Sequence, residues 1–252
     1  MLIINHVYKS YKQSSRWFSK QNRIQVLKDI SFSIPEGTCV GLIGESGSGK
    51  STLSRLILGL EKPDKGNIEI EGKPVTVWIK ENRGQMSVVF QDYTSSANPN
   101  FTVYDVICEP LKLLGQTHNL EQTVRQLLEK VGLSDTLINR YPHELSGGQL
   151  QRVCIARAIS SHPKILVLDE AISSLDVSVQ AQVLDLLKQL KKEMQMTYLF
   201  IAHDLQAVTY LCDRLLFLYK GQIVEQVACK DLAHVQNNYA QKLLQSVIPF
   251  SV

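Results

Sequence analysis

Apolar and polar positions alternate through "LIINHVY" and "VLKDISFSI", and "TCVGLIG" is a continuous apolar run that leads into a glycine-rich stretch. A period of two predicts strands over residues 1 to 43, the last of them buried on both faces. From Lys50 the period changes. In "KSTLSRLILGL" Leu53, Leu56, Ile57 and Leu60 recur on one face, which predicts a helix that Pro63 ends. "GNIEIEGKPV" alternates again and predicts a hairpin, and "MSVVFQD" predicts a further short buried strand.

Between Asp92 and about Ser161 helical periodicity takes over in "VYDVICEPLKLL", "LEQTVRQLLEKVGL" and "LQRVCIARAIS", separated by Asn, Gly and Pro signals. This predicts a mainly helical lobe inserted into a sheet lobe. Strands return with "KILVLDE", "TYLFIAHD" and "RLLFLYKGQIVEQV", and "SVQAQVLDLLKQLKKEM" is an amphipathic helix between the first two. Strand, helix, strand at that spacing favours parallel pairing in an α/β sheet. The expected organisation is one domain over 1–252. Its sheet lobe is 1–91 and 162–227, its helical lobe 92–161, and its short tail 228–252, which carries the helix-like "YAQKLLQSVI".

Composition narrows this picture only a little. With 252 residues, 44% hydrophobic and 20% charged, the chain can bury a substantial core and is neither fibrous nor wholly disordered. A net charge of +3 argues for nucleic acid only if basic residues cluster on one face. The densest basic stretch, Arg16, Lys20 and Arg23, sits in a polar loop and reads as solvated surface, so no nucleic-acid partner is expected. The five cysteines form no CxxC pair, which points to neither a zinc site nor a disulfide framework. No apolar run approaches the roughly 18 to 20 residues that cross a bilayer. The start, "MLIINHVYKSYK", reverses the order of a secretory signal, so the chain is expected to be soluble and cytoplasmic.

The chemistry begins at "GESGSGKST", Gly44 to Thr52, which fits G-x-x-x-x-G-K-[ST] between an expected strand and an expected helix. Gly44, Gly47 and Gly49 let the backbone curl so that amide hydrogens of the loop, including those of Ser46, Ser48 and Thr52, face a polyphosphate, reinforced by the helix dipole. Lys50 neutralises β and γ phosphates, and Ser51 can ligate Mg2+. Such a loop needs an acidic partner. "ILVLDE" supplies one: Asp169 at a strand end would hold Mg2+ through water, and Glu170 beside it would polarise the attacking water. Two carboxylates close an apolar strand badly unless a cation or hydrogen bonds await them.

A second anion-holding stretch stands about a hundred positions downstream. "LSGGQLQR", Leu145 to Arg152, puts Ser146, Gly147, Gly148 and Gln149 at a helix start, about 20 residues before "LVLDE". With "VFQD" (Gln91), "SSLD" (Asp176), "IAHD" (His203) and an upstream aromatic, Tyr11, the series from about residue 2 to 227 resembles the ABC-type ATPases. That resemblance implies an α/β fold of the P-loop NTPase class and ABC ATPase type: a mixed sheet core with an antiparallel β subdomain and an inserted helical subdomain. It also implies ATP and Mg2+ as ligands and a head-to-tail dimer in which Ser146, Gly147, Gly148 and Gln149 of one subunit meet the nucleotide on the P-loop of the other. His203 would sense the γ-phosphate, and Gln91 would link Mg2+ or water to lobe rotation. Tyr11 would stack on adenine, although Trp17 or Phe18 in the adjoining loop could do so instead. Asp176 would contact the partner across the dimer, cap the helix that follows, or both.

Within that family, "VFQDYTSSANPNFTVYDVICEPL" resembles the oligopeptide, dipeptide and nickel importers through Asn98, Pro99, Thr102, Val103, Glu109, Pro110 and Leu111. The compact length and the lack of a cysteine cluster look more like the nickel or metallophore members than the peptide ones. Asn100 stands where a basic residue is common, and Ile172 where many relatives have Thr. The resemblance implies a peripheral ATPase on the cytoplasmic face of the membrane, beside a second ABC ATPase subunit and two integral membrane permease subunits, with an extracytoplasmic substrate-binding protein acting indirectly. An ATP-gated module for a non-membrane partner is the alternative. A small-molecule phosphotransferase would leave "LSGGQ" without a role.

Overall fold

In the computed structural model, which describes residues 1–12 and 23–247, the alternating segments become strands and the 3.6-period segments become helices. Arg16, Trp17, Phe18 and Lys20 and the end of the tail lie outside the described residues. Two compact units are present: Met1–Glu81 with Leu199–Val252, and Asn82–Tyr198.

The first unit opens with β1 (Leu2–Lys12), β2 (Arg23–Ile34) and β3 (Cys39–Ile43), then α1 (Lys50–Ile57), β4 (Lys65–Ile70), β5 (Lys73–Pro74) and α2 (Val75–Glu81). β1, β2, β4 and β5 form an antiparallel sheet in the order β2-β1-β4-β5. In β1 and β2 buried residues are interspersed with exposed ones, whereas all five residues of β3 are buried. That difference separates a half-solvated antiparallel sheet from the interior of an α/β layer. The helix α1 stops well before Pro63. Gly59 takes φ 69, its N–H donates to the Leu56 carbonyl, and the Leu60 N–H reaches the Arg55 carbonyl. This paired closure satisfies the last carbonyls and ends the helix without the proline. Missing from the sequence reading is α2, whose β-branched residues favour a strand; it buries Val75 and Trp78 and ties the indole N–H to Glu71.

The second unit contains β6 (Met86–Phe90), α3 (Tyr93–Ser96), α4 (Val103–Leu113), α5 (Leu120–Lys130), α6 (Gly147–Ile159), β7 (Ile165–Asp169) and α7 (Val177–Met194). It holds the whole stretch expected to be helical, together with the parallel pair β6 and β7. α4 starts with a reciprocal cap between Thr102 and Asp105, the local reason that "TVYD" begins a helix.

β8 (Thr197–Ala202) crosses the division between the units, and the chain then adds α8 (Leu205–Leu211), β9 (Arg214–Tyr219), β10 (Gln222–Ala228) and α9 (Asn238–Val247) to the first. There the strand order is β10-β9-β3-β8, with β3 and β9 parallel and β9 and β10 antiparallel. The short α8 was not legible as a helix; Asp204 caps it by accepting the N–H groups of Gln206 and Ala207. All five cysteines carry free thiols. Among the described residues no helix is long and apolar enough to cross a membrane.

Candidate functional site

In the first unit, β3 delivers the chain into the glycine loop and α1 carries it away, as the motif requires. Gly44 has no room for a side chain: a Cβ would lie 2.3 Å from the Leu218 carbonyl oxygen and 2.7 Å from Ser48 Oγ. Gly47 and Gly49 take φ 76 and φ 113, conformations that glycine tolerates. The Lys50 side chain curls back under the loop. Only 4% of the residue is exposed, and Nζ donates to the carbonyls of Gly44 (2.8 Å) and Glu45 (3.0 Å). His203, just beyond β8, brings Nδ1 to 3.5 Å from the same Nζ, so two residues 153 apart in sequence share one corner. Ser46, Gly47 and Ser51 are exposed, Thr52 is buried, and the buried hydroxyl of Ser48 has no partner. Tyr11 lies at the end of β1 opposite the exposed Ile24, its hydroxyl bonded to Glu61 at 2.6 Å and its ring beneath Lys9. The Tyr11 hydrogen bond, ahead of Lys9 and Arg55, holds the Glu61 carboxyl below its usual range.

In the second unit the register of β6 and β7 decides what is gathered. Phe90 pairs with Asp169, so Gln91 and Glu170 leave the sheet at the same end, side by side in the chain's course. Glu170 has φ 52, a left-handed conformation costing about 1–2 kcal/mol for a residue with a Cβ. Its carbonyl is held twice by Ser173, through N–H (3.1 Å) and Oγ–H (2.9 Å). The next carbonyl, Ala171, accepts the amide N–H of Gln151 at 2.6 Å. Gln151 is fully buried on α6, and its own oxygen has no partner. After Gln91, Asp92 caps α3; hydrogen bonds from the Ser95 and Thr94 side chains and the Ser95 amide depress its carboxyl to about 2.

Ser146 is the N-cap of α6. Its Oγ accepts the Gln149 N–H at 3.3 Å, and the Gln149 side chain returns to the Ser146 N–H at 2.9 Å. The cap leaves the hydroxyl proton of Ser146 and the first helical N–H groups available to an anion. These residues line a cavity of about 460 Å³ whose wall also includes Asp176, Tyr93, Arg152 and Gln182. The two signature glycines are sites of close approach: a Cβ on Gly147 would meet Tyr93 Oη at 2.8 Å, and one on Gly148 would meet Val179 at 2.8 Å. Asp176 occupies the N-cap position of α7, but its side chain makes no capping hydrogen bond, so the capping role expected from sequence is not realised. Val177, next to it, is 82% exposed.

A P-loop with its lysine beside a histidine, a carboxylate pair at a strand end, and a capped Ser-Gly-Gly helix start all stand where the motif series puts them along the chain. The family described as ABC transporter matches residues 27–173. The chain belongs to the ABC transporter family. It is 47% identical over 252 residues to the metal-staphylopine import system ATP-binding protein CntF of Staphylococcus aureus (strain NCTC 8325 / PS 47), covering 99% of this chain and 100% of that protein. It is 41% identical over 261 residues to the oligopeptide transport ATP-binding protein OppF of Haemophilus influenzae, covering 99% of this chain and 78% of the other. Among solved structures, the dimeric post-hydrolysis state of the ATP-binding cassette MJ0796 bound to ADP and Pi matches with TM-score 0.78 and 28% identity. That match covers 91% of this chain and 99% of that one. This member of the ABC transporter family is accordingly an ATP-binding, ATP-hydrolysing cassette.

Sequence reasoning missed three residues that the cassette uses to shape these places. Tyr93 stands two positions after Gln91 and fills the space above Gly147. Gln151 was legible only as a polar residue amid the apolar run of α6, a signal that called for a buried partner. Tyr239, in the tail, donates nothing to any motif, yet its hydroxyl reaches the glycine loop.

Proposed function

We propose that this chain is the ATP-hydrolysing subunit of a membrane importer. Its cargo would be nickel, cobalt or other metal chelates, including metallophore complexes, or small peptides. It would work on the cytoplasmic face beside a second ABC ATPase, two integral membrane permease subunits and, indirectly, an extracytoplasmic substrate-binding protein. One observation carries the reading: the chain has two separate places whose geometry suits an anion, the glycine loop around Lys50 in one unit and the capped Ser146 helix with its own cavity in the other. Two such places in one chain make sense when the second serves a nucleotide held by another copy or relative. The metal-staphylopine import of CntF and the oligopeptide transport of OppF support transport over the alternative of a non-membrane switch.

In this reading Lys50 neutralises the β and γ phosphates, and His203 meets the γ-phosphate from the same corner. Tyr11 offers its ring to adenine. Glu170 polarises the attacking water, and the cost of its left-handed backbone is borne by Ser173 and Gln151. Ser51, Gln91 and Asp169 would each offer an oxygen donor of the hard kind that suits Mg2+. That ion, when bound, offsets charge on the polyphosphate. Ser146, the amides of Gly147 and Gly148, Gln149 and Asp176 complete the partner's site, so ATP holds two cassettes together and hydrolysis loosens them. The helical stretch 92–161 would receive the permease.

The test combines a variant with a transport assay. Glu170→Gln should reduce phosphate release roughly 10²- to 10⁴-fold while ATP-dependent association, read by size-exclusion chromatography, persists. Deleting the chain should abolish cellular uptake of nickel and cobalt or of short peptides, whichever its permeases carry. Normal turnover by Glu170→Gln would refute the assignment of the base. Unchanged uptake of all these cargoes would refute import.

A further inference from the structure

The tail helix α9 is fastened to the body of its own unit and to the glycine loop. Its approach is fixed by Glu225, whose carboxylate accepts the N–H groups of Gln236 (3.2 Å) and Asn237 (2.7 Å). Asn237 in turn accepts the Tyr239 N–H at 2.9 Å, and Ala240 and Leu244 are buried. The Tyr239 ring lies on Tyr219, with centroids 4.2 Å apart. That arrangement points its hydroxyl at the start of the loop, where Oη accepts the Glu45 N–H at 3.0 Å.

The bond acts on a particular peptide. The Gly44–Glu45 unit gives its N–H to Tyr239 and its carbonyl oxygen to Lys50 Nζ, at 2.8 Å. One planar group is thus held from both sides, by the tail and by the phosphate-binding lysine, and rotating it would break both bonds. Hydrogen bonds in such a chain polarise one another. The rest of the loop is braced from the end of β9 and the turn after it: the Leu218 carbonyl lies against Gly44, and Gly221 donates to the Ser48 carbonyl at 3.0 Å. From α9 the Tyr239 hydroxyl reaches the loop. Burial pushes the Tyr239 phenol above its ordinary range.

We infer that Tyr239 is a positioning residue for the phosphate-binding loop, orienting the Gly44–Glu45 peptide and with it Lys50, so that ATP binding and docking of α9 favour one another. The inference rests on the ATPase reading above and adds the tail to it. A loop already held in its binding shape loses less freedom when the polyphosphate arrives, which raises affinity. Coupling of this kind is reciprocal: if the docked tail tightens ATP, ATP must tighten the docked tail.

The experiment uses the full chain. Tyr239→Phe keeps the ring on Tyr219 and removes only the hydroxyl. ATP affinity, measured by calorimetry in EDTA so that no turnover occurs, should weaken roughly three- to tenfold, the range of one hydrogen bond. The matching rise in KM should exceed any change in kcat, with the melting temperature within about 2 °C of the wild type. In the wild type, ATP should slow amide exchange across residues 240–245, and Tyr239→Phe should lose that protection. Affinity within 1.5-fold of the wild type would overturn the inference, and so would exchange in the wild-type tail that ignores ATP, a readout that does not depend on the variant folding. A wild-type chain that bound no ATP at all would overturn the ATPase reading and this one together; ATP binding with an indifferent tail would overturn this one alone.

Discussion

Gln151→Leu isolates what holds Glu170. The substitution nearly keeps volume inside α6 and deletes the 2.6 Å bond to the Ala171 carbonyl. Ala171 and Gln151 are both buried, so water cannot replace the lost donor; an unmet carbonyl costs about 1–3 kcal/mol. Part of this is offset, because the Gln151 side-chain oxygen already lacks a partner and leaves with the mutation. The net loss of stability should be about 1 kcal/mol, a fall in melting temperature of about 2–4 °C. Turnover should respond more strongly than stability. The left-handed backbone at Glu170 costs about 1–2 kcal/mol, and with one of its braces gone the loop can relax by a similar amount.

A shift of 1.4 kcal/mol against the active geometry lowers kcat about tenfold, with KM for ATP little changed because Gln151 belongs to neither the glycine loop nor the strand end that carries Tyr11. Phosphate release at saturating ATP, with a thermal melt on the same sample, is the assay. A kcat within twofold of the wild type alongside the expected fall in melting temperature would show that Gln151 merely fills space, and the reasoning would fail. Ser173→Ala removes the neighbouring brace at 2.9 Å, so the two changes should be non-additive in kcat.

Gly44→Ala forces a Cβ to 2.3 Å from a backbone carbonyl that cannot swing away, and should cost about 1–3 kcal/mol and most of the ATP affinity, read by melting and calorimetry. Glu170→Gly should abolish turnover and yet raise the melting temperature slightly, since glycine adopts φ 52 without strain; a lower melting temperature would count against stored strain. The Asp92 carboxyl, depressed to about 2, adds stability that is complete above its ordinary pKa of 3.8 and lost as pH falls through about 2, so the α3 cap should survive at pH 3, with an NMR titration of Asp92 as the check.

What was legible in the sequence is what a few consecutive residues decide. The glycine loop between β3 and α1 and the helix start at Ser146 are local devices written within a few residues, and both stand where the motif spacing puts them. Buried strands read as apolar runs for the same reason: β3 and β8 are buried at every position. Errors came where a local signal had a stronger neighbour. Pro63 looked like the end of α1, but Gly59 closes the helix first, and the β-branched residues of α2 hid a helix. Asp176 fits the N-cap preference, and its side chain makes no capping bond. The braces were illegible for a different reason. Tyr239 meets Glu45 across 194 positions and Gln151 meets Ala171 across 20, distances at which no periodicity or motif ties one residue to the other.

The residues that the sequence hides share one task. Motif residues must present particular groups, and the backbone that presents them takes shapes that its own composition does not favour. At Glu170 glycine would be relaxed, but glycine brings no carboxylate, so a strained glutamate is kept in place by Ser173 and Gln151. At Gly44 the tight fit under Leu218 excludes any side chain, and the peptide that follows is held at its carbonyl by Lys50 and, from outside the loop, at its N–H by Tyr239. All three bracing side chains, Ser173, Gln151 and Tyr239, are uncharged hydrogen-bonding groups acting on a backbone amide or carbonyl, a choice that fixes a peptide plane without adding charge beside the glycine loop or the acidic pair. The motif residues name the reaction, and these quieter contacts set how often the loop and the acid stand ready for it.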